Sequence, residues 1–123
     1  MLAHITWAVL ALQSGRIWLD DSIQYATLAD NLRNSGSFSL NYAGEAVPTA
    51  ERLPAYPLFL SAFWPSLELI IALQHLMVLF TALLIHRIAR RYTRHARLVT
   101  LVYLLQPYPL LFASFLMPEV LFI

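Results

Sequence analysis

The stretch that decides the fold is LELIIALQHLMVLFTALLIH, residues 67–86, in which Glu68 is the only charged side chain. A helix of this length reaches about 30 Å, which matches the hydrocarbon core of a bilayer. The whole chain of 123 residues is 59% hydrophobic and 12% charged, whereas soluble domains carry about 25% charged residues. The stretch is therefore predicted to cross a membrane as a helix, with lipid as the solvent for much of the chain.

Two further apolar stretches predict additional spans. Residues 1–13 would reach only about 20 Å as a helix, but an extension to Leu19 adds an arginine and a tryptophan, which suit the membrane interface. The other stretch is residues 98–117, and Pro107 and Pro109 are expected to kink or break it. The expected fold is an all-α integral membrane protein with about three transmembrane helices, at residues 1–19, 67–86 and 98–117.

The distribution of charge predicts the orientation of these spans. Residues 87–97 (RIARRYTRHAR) carry five arginines and no acid, whereas residues 14–66 carry three arginines and five acids. Arginine-rich loops stay in the cytoplasm, so we expect a cytoplasmic loop at 87–97 and an outer, non-cytoplasmic loop at 20–66. We interpret the arginines as a topology signal, because a net charge of +1 suggests no nucleic-acid partner.

Two short juxtamembrane helices are predicted in the outer loop. The first has one apolar stripe at helical spacing and is expected to stop at Gly36; such a helix can lie flat on a membrane. The second lies in residues 53–66, which are rich in the aromatic side chains found at membrane interfaces. The stripe of the first helix consists of Tyr25, Leu28, Ala29 and Leu32.

Two segments of this loop carry a family resemblance: DSIQYATLADNLRNSGSF, residues 21–38, and AERLPAYPLFL, residues 50–60. Together they resemble the first outer loop of the GT-C membrane glycosyltransferases, in the branch of protein mannosyltransferases and bacterial lipid A- or polysaccharide-modifying transferases. Ala55 departs from the pattern, which usually has glycine there. The resemblance covers nearly all of this chain but only about the first quarter of a typical enzyme. The matching positions are Asp21, Tyr25, Gly36, Phe38, Arg52, Pro54, Tyr56 and Pro57, followed by Gln74 in the next span and Glu119 in the second outer loop.

The resemblance implies an inverting transfer of a sugar from a polyprenyl-phosphate carrier to a glycan, lipid or protein acceptor outside the cytoplasm, at the plasma membrane. Asp21 would be the general base that takes the proton of the acceptor hydroxyl. Arg52 would bind the departing phosphate, with Tyr25 and Tyr56 as further substrate-binding residues. Glu119 would orient the acceptor or help to hold a divalent cation through oxygen ligands. No metal-binding residues are assigned.

Purely structural roles compete with these catalytic ones in the first outer loop. Asp21 and Gln24 have the spacing of a helix capping box, with the aspartate as N-cap. Tyr25 lies on the apolar stripe and suits packing. Arg52 suits anchoring at lipid headgroups.

The polar residues further along the chain also have structural interpretations. Glu119 follows Pro118 and suits the first turn of a helix. Gln74 and His75 are expected to hydrogen-bond a neighbouring helix, although in a transporter they would line a path for solute. A non-catalytic multi-spanning protein is the alternative to the enzyme. The chain also stops inside an apolar run, MPEVLFI, so we expect it to be the truncated N-terminal part of a longer protein and inactive alone.

Overall fold

A computed structural model describes residues 18–42 and 44–121, together with Thr6, Val9, Leu10 and Gln13. In chain order the elements are a helix, a hairpin of two strands, four further helices and a 3-10 turn. Their bounds are α1 Asp20–Ser35, β1 Ser39–Tyr42, β2 Glu45–Pro48, α2 Ala55–Phe63, α3 Leu67–Tyr92, α4 Ala96–Leu105, α5 Pro107–Phe112 and the 3-10 turn Pro118–Leu121.

The long helix α3 organises the described part of the chain. Its 26 residues correspond to about 39 Å, and it is the one described helix that is long and apolar enough to cross a membrane. Leu76, Phe80 and Leu83 are 59%, 59% and 61% exposed, so the surface that α3 turns away from the core is apolar. The predicted helix at 67–86 is confirmed, and the chain therefore contains a segment suited to a membrane.

The helix extends six residues further than the sequence suggested. Arg90 and Arg91 lie in its last turn, where positive charge is favoured by the negative end of the helix dipole. The helix ends at Thr93, whose N–H donates to the carbonyl oxygen of Ala89. Much of the predicted cytoplasmic loop 87–97 is thus helical, and a tight turn leads into α4.

The expectation of three transmembrane helices in an all-α fold is wrong. Residues 98–117 do not form one span, because α4 has only 10 residues and α5 only 6, which correspond to about 15 Å and 9 Å. The break falls at Gln106, whose backbone is extended (φ −63°, ψ 133°), because Pro107 disfavours helical geometry in the residue before it. Most of the predicted span at 1–19 lies outside the described residues.

The outer loop also contains a β-hairpin that the sequence did not predict. Leu40 pairs with Val47 and Asn41 with Ala46 in an antiparallel register. The side-chain amide of Asn31 in α1 donates to the carbonyl oxygen of Ser39 at 2.8 Å, which ties the hairpin to the helix. The four residues of β1 (SLNY) do alternate polar and apolar side chains, but β2 (EAVP) shows no such alternation, and strand signals of this length are weak.

The two helices predicted in the outer loop are present as α1 and α2. Tyr25, Leu28 and Ala29 of the apolar stripe are buried. Gly36 ends α1 in the left-handed region at φ 68°, with its N–H bonded to the carbonyl oxygen of Leu32 at 3.0 Å. That these helices lie on a membrane surface stays a prediction.

The core joins α1, α2 and the first half of α3 to the segment after α5. Two polar contacts reinforce the α1–α2 pair: the Trp64 indole donates to Asp30 at 3.0 Å, and the Arg33 guanidinium donates to the carbonyl oxygen of Ser61 at 3.2 Å. The outer loop is therefore packed against one end of α3. Fully buried members of this core include Ala29, Leu60, Ile70, Ile71, Ala113 and Leu116.

The left-handed conformation at the end of α1 predicts a stability effect. We expect Gly36→Ala to lower the free energy of unfolding by about 1 kcal/mol, because a Cβ is disfavoured at positive φ. Gly36→Asn should cost less, since asparagine tolerates this conformation. Chemical unfolding in detergent, followed by tryptophan fluorescence, would measure both. Equal stability of the alanine variant and the parent would contradict this view of the helix end.

Candidate functional site

An ion pair between the segment that joins β2 to α2 and helix α1 forms the centre of the site. Arg52, in the segment between β2 and α2, places its Nη2 2.5 Å from Oδ1 of Asp21. Its Nε donates to Oε1 of Gln24 at 3.0 Å. The Arg52 side chain is 26% exposed and that of Asp21 is 44% exposed. The pair is thus partly shielded from solvent but open on one side.

The interpretation of Asp21 and Gln24 as a capping box is wrong. The N-cap of α1 is Leu19, and Asp21 already lies inside the helix. At the helix start the buried hydroxyl of Ser22 accepts the N–H of Leu19 at 3.0 Å. Because Asp21 and Gln24 are three residues apart, both lie on one face of α1, and both side chains bind Arg52.

Two aromatic rings continue the site from Arg52 into the core. The guanidinium carbon lies 5.5 Å from the centroid of the Tyr25 ring, within the range of a cation–π contact. Tyr25 meets Tyr56 edge to face, with centroids 5.3 Å apart. Burial raises the pKa of the Tyr25 hydroxyl, and burial together with the charge of Glu119 raises the pKa of Tyr56 far above its ordinary value. Both phenols are therefore neutral hydrogen-bonding groups at physiological pH.

A buried amide in α3 fixes the position of Tyr56. The Tyr56 hydroxyl donates to Oε1 of Gln74 at 3.1 Å. Nε2 of Gln74 donates to the carbonyl oxygens of Ala113 and Phe115 at 3.2 and 2.8 Å. Gln74 is fully buried, so the amide connects three separate parts of the chain.

The neighbouring His75 contacts the same C-terminal segment, with Nε2 3.2 Å from the hydroxyl of Ser114. The prediction of a hydrogen bond to a neighbouring helix is confirmed for Gln74, which is bonded to Tyr56 of α2. It is not met by this contact of His75, because Ser114 follows the end of α5 and lies outside a helix. Both side chains are buried between α3 and the rest of the described chain.

Glu119 lies on the same side of the molecule as the two tyrosines. Its charge raises the pKa of both Tyr25 and Tyr56. It occupies the first turn of the 3-10 helix after Pro118, so its predicted position at a helix start is confirmed. Its Oε2 is buried and has no hydrogen-bond partner among the described residues. Buried polar atoms without partners are uncommon.

A cavity of about 170 Å³ opens beside these side chains. It is smaller than the roughly 300–1,000 Å³ of typical ligand pockets, so it suits one small group of a larger molecule. Its polar lining combines the Arg52 guanidinium and two neutral phenols with the carboxylate of Glu51, so Arg52 is the group there that would attract an anion. The lining residues are Tyr25, Glu51, Arg52, Leu53, Ala55, Tyr56 and Pro118.

The structure thus brings the sequence-predicted site residues to one region. Asp21, Tyr25, Arg52 and Tyr56 form a continuous chain of contacts, and Glu119 acts electrostatically on the two phenols. Gln24 was assigned to the capping box and missed as a ligand of Arg52, although its spacing from Asp21 was a usable signal. Among the described residues, no three His, Cys, Asp or Glu side chains are grouped to hold a metal ion.

Comparisons with protein-family models, curated proteins and solved structures found no match to this chain. Its function is therefore inferred from the geometry of the site and from the order of the motifs in the sequence.

The buried Tyr56–Gln74 hydrogen bond predicts a measurable stability effect. We expect Tyr56→Phe to lower the free energy of unfolding by about 1–3 kcal/mol, because Oε1 of Gln74 then stays buried without a donor. Tyr92→Phe is the matched control, since Tyr92 is 85% exposed, and it should change stability by less than about 0.5 kcal/mol. Equal effects of the two variants in detergent unfolding would contradict the role of this hydrogen bond.

The raised pKa of Tyr56 predicts how stability depends on alkaline pH. The folded state holds the phenolic proton more tightly than the unfolded state, where the pKa is near its ordinary 10.0. This contribution is fully present below about pH 10 and is lost as the pH rises above it, at up to about 1.4 kcal/mol per pH unit. Unfolding free energies measured between about pH 9 and 12 should fall less steeply in Tyr56→Phe than in Tyr92→Phe. Parallel curves would refute the assignment.

Proposed function

We propose that this chain is part of a GT-C type membrane glycosyltransferase. It moves a sugar from a polyprenyl-phosphate carrier to a glycan, lipid or protein acceptor on the non-cytoplasmic side of the plasma membrane, with inversion at the sugar carbon. The observation that carries the proposal is the placement of Arg52, which Asp21 and Gln24 hold at a small cavity beside two neutral phenols. The order of motifs in the outer loop supports the same family.

The location of the site agrees with a substrate that is anchored in lipid. Tyr56 is bound to Gln74, in the first third of α3, and Arg90 lies about 24 Å further along the helix. The positive-inside rule assigns the arginine-rich end to the cytoplasm. The site is then on the outer side of the membrane, the side on which the proposed transfer takes place.

Arg52 binds the phosphate of the carrier in this proposal. A guanidinium has five N–H donors, and its two contacts to Asp21 and Gln24 leave others for phosphate oxygens. Negative charge collects on the phosphate as the bond to the sugar breaks, and the guanidinium stabilises that charge. The hydroxyl groups of Tyr25 and Tyr56 carry no opposing charge, because phenols are neutral at physiological pH and burial raises their pKa values further.

Asp21 acts as the general base. Its Oδ1 is bound to Arg52, whereas Oδ2 has no hydrogen bond among the described residues and the side chain is partly exposed. The acceptor hydroxyl gives its proton to this carboxylate while its oxygen attacks the sugar carbon, and the carrier phosphate leaves with the electrons of the broken bond. A phosphate bound to Arg52 competes for the guanidinium, so donor binding weakens the ion pair and frees the base.

Glu119 completes the site by orienting the acceptor. The buried, unpartnered Oε2 would accept a hydrogen bond from an acceptor hydroxyl. Holding a divalent cation is the alternative role for this carboxylate, and the described residues supply no further cluster of ligands for it.

The test compares two adjacent aspartates in the membrane-bound protein. Transfer from radiolabelled undecaprenyl-phosphate hexoses and pentoses would be measured for Asp21→Asn and Asp20→Asn. We expect the first to slow transfer by roughly 10²–10⁴-fold, the range for loss of a general base, because asparagine still accepts a hydrogen bond from Arg52 but takes no proton. Asp20 is exposed, and its variant should transfer sugar at close to the parent rate.

Two results would argue against this function. A wild-type rate for Asp21→Asn would leave the ion pair as a structural contact between the outer loop and α1. Transfer to no acceptor in native membranes, with any of the donors, would favour a non-catalytic membrane protein.

A further inference from the structure

We propose that the cytoplasmic end of α3 and the turn into α4 form a binding site for the phosphate headgroup of an anionic phospholipid. The site lies at the opposite end of α3 from Arg52. It depends on α3 crossing a bilayer but not on sugar transfer. We call its five guanidinium side chains the arginine rim: Arg87, Arg90, Arg91, Arg94 and Arg97.

The arginine rim is an uncompensated concentration of positive charge. Residues 87–97 contain no acid, and the ion pair that the described residues make is that of Arg52 with Asp21, elsewhere in the chain. All five rim side chains are exposed. Five like charges on a short helical hairpin repel one another, so an anion that binds several of them at once is favoured.

The hairpin geometry makes these charges converge. The carboxyl end of α3 and the start of α4 are joined by the turn 93–95, and Nδ1 of His86 contacts the hydroxyl of Thr100 at 3.2 Å across the two helices. Guanidinium groups from both helices therefore border the same space. Arginine is well suited to this role, because its planar fork binds phosphate oxygens in pairs.

Two open hollows lie among these side chains, with volumes of about 530 and 500 Å³. The first lies on the surface of α3 alone, whereas the second is bordered by α3, the turn and α4. Arg90 borders both hollows. The first is lined by Arg87, Ile88, Arg90 and Arg91, and the second by His86, Arg90, Thr93, Arg94, Ala96 and Arg97.

Apolar side chains next to the rim distinguish a lipid from a free anion. Ile88 is 59% exposed and lines the first hollow, and Leu84 and Leu98 are also exposed. Arg90 lies about 6 Å beyond His86 along the axis, which is headgroup depth when residues 67–86 fill the hydrocarbon core. Ile88 lies level with the rim, and Leu84 lies one turn deeper in the bilayer. This arrangement fits an amphiphile whose phosphate binds the rim and whose acyl chains lie along α3.

The experiment measures lipid selectivity in the reconstituted protein. Spin-labelled phosphatidylglycerol and phosphatidylcholine are compared by electron paramagnetic resonance in phosphatidylcholine vesicles, through the motionally restricted fraction that each shows at the protein surface. We expect the restricted fraction to correspond to at least about fivefold tighter association of phosphatidylglycerol, since one arginine near a lipid surface changes binding by about that factor. The preference should fall towards one in Arg90→Gln/Arg94→Gln.

Two control variants separate this site from other features. Arg33→Gln removes one exposed arginine at the other end of the molecule, and it should leave the preference intact. Asp21→Asn should also leave it intact, even if sugar transfer is lost or was never present, so failure of the proposed enzyme activity and failure of the lipid site are distinguishable.

Four outcomes would overturn the lipid site. One is equal association of both lipids with the parent protein, and another is an unchanged preference in the double variant. A third is loss of the preference in inorganic phosphate but not in sodium chloride of the same ionic strength, which would identify a site for free phosphate. The last is absence of any restricted component, which would place α3 outside the bilayer.

Discussion

The buried amide of Gln74 is the constraint on which the described structure depends. An amide in the middle of an apolar helix must find partners, because an unpaired polar group in a water-free core is costly. Gln74 meets this requirement by binding the Tyr56 hydroxyl on one side and two backbone carbonyls, of Ala113 and Phe115, on the other. One side chain therefore holds both the outer loop and the C-terminal segment on α3, and through Tyr56 it sets the position of Tyr25.

The arginine side chains also need partners, and they differ in how that need is met. Arg52 is partly shielded from solvent, and Asp21 and Gln24 bind it from one face of α1. At the other end of α3 the rim arginines are exposed and have no acidic partners among the described residues. The arginines near the two ends of α3 thus differ. Arg52 is oriented by protein side chains, whereas the rim arginines are exposed and can bind anions from the surroundings.

The features predicted correctly from the sequence are those that depend on residues close together in the chain. The apolar run at 67–86 and the apolar stripe of α1 predicted the correct helices, and Gly36 predicted the end of α1. These signals are read from residues that are close together in the sequence. The hairpin was missed because β1 (SLNY) alternates over only four residues and β2 (EAVP) does not alternate. Its attachment to α1 through Asn31 is a contact between residues distant in the sequence. Nor was it evident that Pro107 would end α4 completely rather than kink one continuous span. The candidate site residues lie together, as their predicted location on one side of the membrane suggested. The pairing of Gln24 with Arg52 was not predictable, because it depends on how the segment after β2 folds back on α1.

The hairpin has a practical consequence for locating the two sides of the protein. Every residue of β2 is exposed, and the hairpin is tied to α1 through Asn31, at the end away from the ion pair. Exposed turns with small and polar residues accept insertions with little effect on the fold. A short epitope inserted in the turn at Gly44 would therefore lie away from Asp21 and Arg52, and antibody access in intact cells would report on which side of the membrane these residues lie.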